Sequence, residues 1–96
     1  MTKAEIVSNI SDQLGIDKGD VQATIEKFME EVKCSLEDGE NVYLRGFGSF
    51  VIKTRAKKTG RNISKNTAVI IPAHNIPAFK PAKIFVQGVK SKVSVS

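Results

Sequence analysis

Lys53, Arg55 and Lys57 alternate with Thr54 and Ala56, and Lys58, Arg61 and Lys65 follow closely behind them. In an extended chain, side chains two apart share one face, so the first three cations point the same way. A row of that kind suits the holding of phosphate oxygens, to which ammonium and guanidinium groups donate charge-assisted hydrogen bonds. The rest of the chain sharpens the point. All ten Asp and Glu lie at or before Glu40, together with four of the fifteen Lys and Arg, and the other eleven cations occupy residues 41–96. A half without a carboxylate cannot balance its own charge. A polyanion that releases condensed counterions on binding is the partner that rewards such a surface most. Charge alone does not separate nucleic acid from an acidic membrane; the pattern must do that.

Other chemistries find little support. His74 is the single histidine and Cys34 the single cysteine. Neither a metal cluster nor an internal disulfide can be built from them, and Cys34 reads as a small helix residue. With no carboxylate beyond Glu40 to work beside His74, an enzyme is not expected, nor a cofactor or a small-molecule substrate. Phe47, Phe50 and Phe79 could stack on bases, but their glycine and proline neighbours favour a place in the core. No run reaches the ~18 apolar residues of a membrane span. Met1-Thr2-Lys3-Ala4-Glu5 lacks the apolar core of a secretory signal, so the expected location is the cytoplasm.

The elements that must position the cations can be read from periodicity. Thr2 and Glu5 have capping-box spacing, and Ile6, Val7, Ile10 and Leu14 form one helical stripe that Gly15 ends. Asp17 caps a second helix, in which Val21, Ile25, Phe28, Met29, Val32 and Leu36 repeat at helical spacing up to Gly39. That helix is expected to have about 21 residues and a length of roughly 30 Å. The basic half changes period. Asn41 to Arg45 alternates, Gly46-Phe47-Gly48 turns, and Phe50 to Lys58 reads as one strand answered by an antiparallel run from Thr67 to Ile71. Gly60 to Asn66 forms the hairpin end. Pro72, Pro77 and Pro81 punctuate a return segment, a short helix is expected from Pro81 to Lys90, and residues 91–96 read as a flexible tail. The expected class is α+β: two N-terminal helices, a three-stranded antiparallel sheet with a long β-ribbon arm at about 53–75, and a short C-terminal helix. Such a polar two-stranded ribbon is marginal alone and should become ordered on a partner. The remaining ~75 residues leave much of both helical stripes exposed, and dimerisation is the usual remedy at that size.

Gly46-Phe47-Gly48-Ser49-Phe50, the ribbon end Gly60-Arg61-Asn62, and Ile76-Pro77-Ala78-Phe79-Lys80-Pro81 together resemble the bacterial HU and integration-host-factor family. The likeness covers roughly residues 1–90 and is nearest to homodimeric HU of Bacteroides-like bacteria. It implies an intertwined dimer whose two arms follow the minor groove of double-stranded DNA. Arm contacts implied by the resemblance fall on Lys53, Arg55, Lys58 and Arg61, with Asn62 beside the tip, and saddle contacts on Lys3, Lys80 and Lys83. Lys57 and Lys65 are further basic positions along the arm. Several family arginines are lysines here, which neutralise phosphate without the planar fork. Val86 replaces a lysine found in many relatives. Ile63 replaces the proline that wedges between base pairs; isoleucine is also an apolar wedge, although it could instead pack on the hairpin end.

The resemblance therefore implies an architectural protein of the bacterial nucleoid that bends and compacts duplex DNA with little sequence specificity. Two other classes compete. A single-stranded DNA or RNA binding barrel would use aromatic stacking, and the two long helices and the arm speak against it. A module docking its basic face on an acidic protein would show weak salt dependence with DNA.

Overall fold

Thr2 and Asp17 start the two N-terminal helices by accepting orphan backbone N–H groups. Thr2 Oγ1 accepts from Glu5 N at 3.3 Å, and Asp17 Oδ2 accepts from Gly19 N at 3.0 Å. The computed structural model describes residues 1–62 and 67–95. Helix α1 spans Lys3–Leu14 and α2 spans Lys18–Glu37, one residue short of the expected length. Gly15 closes α1 in the left-handed region, with φ of 68°. Both ends are tied by a serine hydroxyl five residues back: Ser11 donates to the Ile16 carbonyl, and Ser35 to that of Glu40.

Five strands follow: β1 (Val42–Leu44), β2 (Gly48–Arg55), β3 (Lys58–Asn62), β4 (Thr67–Ile71) and β5 (His74–Pro81), then α3 (Lys83–Lys92). Strands β1, β2 and β5 make an antiparallel sheet in the order β1-β2-β5, and β3 and β4 pair as a separate two-stranded ribbon. The α+β class is as expected, but two local readings are corrected. The single strand expected from Phe50 to Lys58 is interrupted at Ala56 and Lys57, facing a second break at Pro72 and Ala73. Pro72 has no N–H to give the ladder, so regular pairing cannot run through this level. The C-terminal helix starts at Lys83 rather than Pro81, because Pro81 is held as the last residue of β5, opposite Gly48. Its far end reaches Lys92, two residues beyond the expected Lys90.

Prolines inside β5 are tolerated because of how the ladder alternates. Ile52 N donates to Asn41 Oδ1 at 3.1 Å, away from β5, so the Ile52–Pro77 pair exchanges no hydrogen bond. Pro77 and, four residues on, Pro81 therefore turn their nitrogens to the free edge of the sheet.

The sheet has an inner and an outer side. Val42, Leu44, Phe50, Ile52, Pro77 and Phe79 alternate onto the side that α2 covers. Yet very little is buried. Among the described residues only two apolar side chains are buried, Val7 and Val21 where α1 meets α2, each 5% exposed. Phe28 and Met29 on α2 stay 44% and 40% exposed beside an open groove of about 670 Å³ that they line with Val32, Leu36, Phe50 and Ile52. A second apolar cluster joins Phe47 to Phe79 at 5.0 Å and to Phe85 of α3 at 5.5 Å, and Phe47 too is largely exposed. The chain exposes 8208 Å², where a folded monomer of its mass exposes about 5,400 Å². Its radius of gyration is 19.0 Å, against roughly 12–13 Å for a compact domain of that length. Part of the excess is the ribbon; the rest is apolar surface of the kind an obligate interface covers.

Two predictions follow from this packing. The melting temperature should rise with protein concentration, because folding is linked to dimer formation by mass action; calorimetry over a wide concentration range checks this, and a constant value refutes it. Gly48 is the second. A Cβ there would lie 2.6 Å from the Lys80 carbonyl oxygen and 2.6 Å from Phe79 Cζ. Gly48→Ala should therefore destabilise the fold by about 1–3 kcal/mol, read by denaturant titration.

Candidate nucleic-acid interface

Strand alternation and register decide which cations meet. Opposed residues of an antiparallel pair share a face. Ser49 pairs with Lys80, Lys53 with Ile76 and Arg55 with His74, whereas Phe50 pairs with Phe79 and Ile52 with Pro77 on the opposite face. Lys53, Arg55 and Lys80 thus stand on the outer face of the sheet beside Val51, Ile76 and Ala78, with Phe50, Ile52, Pro77 and Phe79 behind them. Across β1, Tyr43 pairs with Ser49, which puts it in the same outer row as Lys80. On the inner side Thr54 lies opposite Asn75, and its hydroxyl donates to Asn75 Oδ1 at 2.7 Å, fixing the register where the arm leaves the sheet.

The other expected contacts distribute unevenly. Lys80 and Lys83 line a shallow depression of about 500 Å³ together with Tyr43, Ser49 and Arg45. Lys57 lies in the break between sheet and ribbon, and Lys58 opens β3 opposite Ile71. For Arg61 and Asn62 the backbone is placed in β3, opposite Ala68 and Thr67. Ile63 and Lys65 lie outside the described residues. Lys3 stands apart from the sheet, in the first turn of α1, where its ammonium is 3.5 Å from Glu26 Oε2 of α2.

Pairing separates two sets of lysines. Lys27 sits 3.0 Å from Glu30 on α2, and the hydrogen bond to that carboxylate, with its charge, holds the Lys27 pKa above the usual lysine value. Such exposed pairs stabilise little, but they satisfy their cations locally. None of Lys53, Arg55, Lys57, Lys58, Lys80 and Lys83 is in an ion pair among the described residues. A cation without a carboxylate neighbour and open to solvent is available to an incoming phosphate.

Sequence reasoning missed Arg45 and Tyr43. The signal was present: with Val42 and Leu44 facing inward, alternation sends positions 43 and 45 outward, toward the row that Lys80 occupies. The phenylalanines behave as expected. Phe50 lies 5.0 Å from Phe79, which also meets Phe85, so the rings pack on one another. Among the described residues no three His, Cys, Asp or Glu side chains converge on a possible metal position, and no helix is long and apolar enough to cross a membrane.

Known proteins share this architecture. The SPbeta prophage-derived DNA-binding protein HU 2 of Bacillus subtilis is 36% identical over 92 residues, 96% of this chain and 100% of that protein. The integration host factor subunit alpha of Photorhabdus laumondii is 40% identical over 93 residues, 97% of this chain and 91% of that protein. Among solved structures, Anabaena HU in a cocrystal with DNA matches with a TM-score of 0.89 and 32% identity, covering 94% of this chain and 98% of that one. HU from Thermotoga maritima matches with a TM-score of 0.66 and 27% identity, covering 94% of this chain and 100% of that one. The sequence profile of the family described as bacterial DNA-binding protein spans residues 1–90. With its helical base, its three-stranded sheet and the unpaired cations on the outer face of that sheet, the chain belongs to this family of bacterial DNA-binding proteins, which includes HU and the integration host factors.

Proposed function

We propose that the chain is an architectural DNA-binding protein, a dimer that binds duplex DNA with little regard to sequence, bends it and compacts it. One observation carries this reading: Lys53, Arg55 and Lys80 share the outer sheet face, free of carboxylates, while Phe50 and Phe79 occupy the other side. Phosphate contacts of this kind supply affinity without reading bases. Preference among targets then follows from how cheaply a given duplex bends. Lys53, Arg55, Lys57, Lys58, Arg61 and Lys65, with Asn62, serve the arm, which enters the minor groove. Lys80, Lys83 and Arg45 serve the saddle, and Lys3 joins them by exchanging Glu26 for a phosphate. Ile63 is the wedge at each arm tip.

The competing single-strand reading needs several rings on the basic face. Tyr43 is the aromatic residue on that face of the sheet, whereas the phenylalanines are turned inward. The sequence resemblance favours the homodimeric HU branch of Bacteroides-like bacteria, and a nucleoid location accompanies that role. Native mass spectrometry of the chain expressed alone tests the homodimer.

Salt dependence tests the electrostatic core of the proposal. If a third to a half of the phosphate-facing groups engage, a dimer neutralises about 7–10 phosphates, and log affinity should fall against log salt with a slope of about −6 to −9. Lys80→Ala should weaken binding and make the slope shallower. A parent slope shallower than about −2 would assign the basic face to another partner.

The wedge is tested separately. Unstacking a base step costs a few kcal/mol on intact DNA and less at a nick. Ile63→Ala keeps every cation, so it should lower the bend of an intact duplex at saturating protein while leaving the salt slope nearly unchanged. Energy transfer between dyes at the duplex ends reads the bend. Full bending by the alanine variant would reduce Ile63 to hairpin packing.

A further inference from the structure

We propose that His74 is a phosphate ligand at the root of the arm, and that as the imidazolium it holds the phosphate and its own backbone anchor together. The inference rests on the duplex-DNA reading and adds to it a proton-linked contact.

His74 is the first residue of β5 and is exposed. It stands opposite Arg55 in the last pair of the sheet before the two chain breaks that lead into the ribbon. Opposed residues share a face, so the imidazole lies on the outer face with Arg55 and, one outer-face pair further along, Lys53. Its position is therefore within the cationic row already described. What distinguishes it is a single hydrogen bond. His74 Nδ1 lies 3.0 Å from the carbonyl oxygen of Pro72. A carbonyl can only accept, so Nδ1 carries the hydrogen and donates it. Pro72 falls between β4 and β5, so its carbonyl lies outside both ladders and is open to this donor.

That commitment fixes the remaining nitrogen. In a neutral ring with Nδ1 protonated, Nε2 offers a lone pair. A phosphodiester oxygen also offers only lone pairs, so a neutral His74 can donate to it only by moving its hydrogen to Nε2 and giving up Pro72. Adding a proton at Nε2 removes the conflict: Nδ1–H keeps Pro72, and Nε2–H donates to phosphate with a full charge behind it. A phosphate drawn in by the neighbouring cations favours the protonated ring by the same interaction.

The charged surroundings fit. Arg55 and Lys53 share the face of His74, Lys57 and Lys58 follow across the break, and β4 contributes no ionisable group. The helix that packs on the sheet, α2, brings Lys33 and Glu37 to the opposite side, where they line the inner groove with Asn75 and Pro77. No carboxylate on the outer face competes with phosphate for the imidazolium. An anion faces the row only when DNA is there.

The experiment uses the full-length dimer and a short intact duplex at constant ionic strength. Calorimetric titrations in buffers of differing ionisation heat count protons taken up on binding, and anisotropy gives affinity between about pH 8 and pH 6. The parent should take up protons on binding, at most one per arm, and its affinity should rise severalfold as pH falls across that range. His74→Gln should bind like the parent at pH 8, yet lose the proton uptake and the rise at pH 6. His74→Lys should bind tightly with no dependence on pH. Every other group is the same in all three proteins, so the differences isolate position 74. Equal proton uptake by the parent and His74→Gln would overturn the assignment. A parent that fails to bind duplex even at pH 8 would overturn the DNA reading itself, a separate result.

Discussion

Apolar surface that one chain cannot cover with itself governs the rest of this structure. Helix α2 turns Phe28, Met29, Val32 and Leu36 toward a groove that its own sheet only half fills, and the Phe47–Phe79–Phe85 cluster is left open on its outer side. At about 25 cal/mol per Å² of apolar surface, leaving such areas wet forfeits much of the driving force that a small domain needs to offset its chain entropy. The two N-terminal helices are well capped and the strands well registered, but local order of that kind contributes only small increments. Cover for that surface has to come from outside the chain, and the sheet that carries the cations is backed by it.

Once the inner side of the sheet is committed to aromatic packing, period-two alternation commits the outer side as well. Phe50 cannot face Phe79 without Ser49 facing Lys80, nor Ile52 face Pro77 without Arg55 facing His74. Core and binding surface are one decision expressed on two faces. Hydrogen-bond detail then adjusts it: the Asn41 side chain continues the β1 edge along β2, and Thr54 grips Asn75 where sheet gives way to ribbon. The carboxylates stay at or before Glu40, where Glu26 and Glu30 engage Lys3 and Lys27, away from the sheet face that must remain open to anions.

Much of this was legible in the sequence because it depends on local periodicity. The stripe from Val21 to Leu36 announces α2, Thr2 and Asp17 announce the helix starts, and the alternation around Val42 and Leu44 announces a half-buried strand. What escaped was set by pairing between distant segments. Pro81 has the local chemistry of a helix start, but its place opposite Gly48, with its nitrogen turned to the free edge, keeps it in β5. The strand expected to run through Lys58 breaks at Ala56, a feature tied to Pro72 sixteen residues later. Arg45 and Tyr43 needed the register of β1 on β2 before they could be assigned to the face of Lys80. The cations of the arm were readable as a charge pattern, while the pairing of Lys3 with Glu26 joins two helices and had no local signature.

The free edge of β5 has a consequence for life at high density. An architectural protein accumulates side by side along one polymer, where neighbouring sheets meet again and again at short range. An unblocked edge strand in that setting would recruit the next sheet, hydrogen bond by hydrogen bond, and turn neighbours into a fibre. Pro77 and Pro81 remove the donors from two of the positions that such an encounter would use, and each pyrrolidine ring stands in the way of close approach. The protein can crowd on its template and still come off it one dimer at a time.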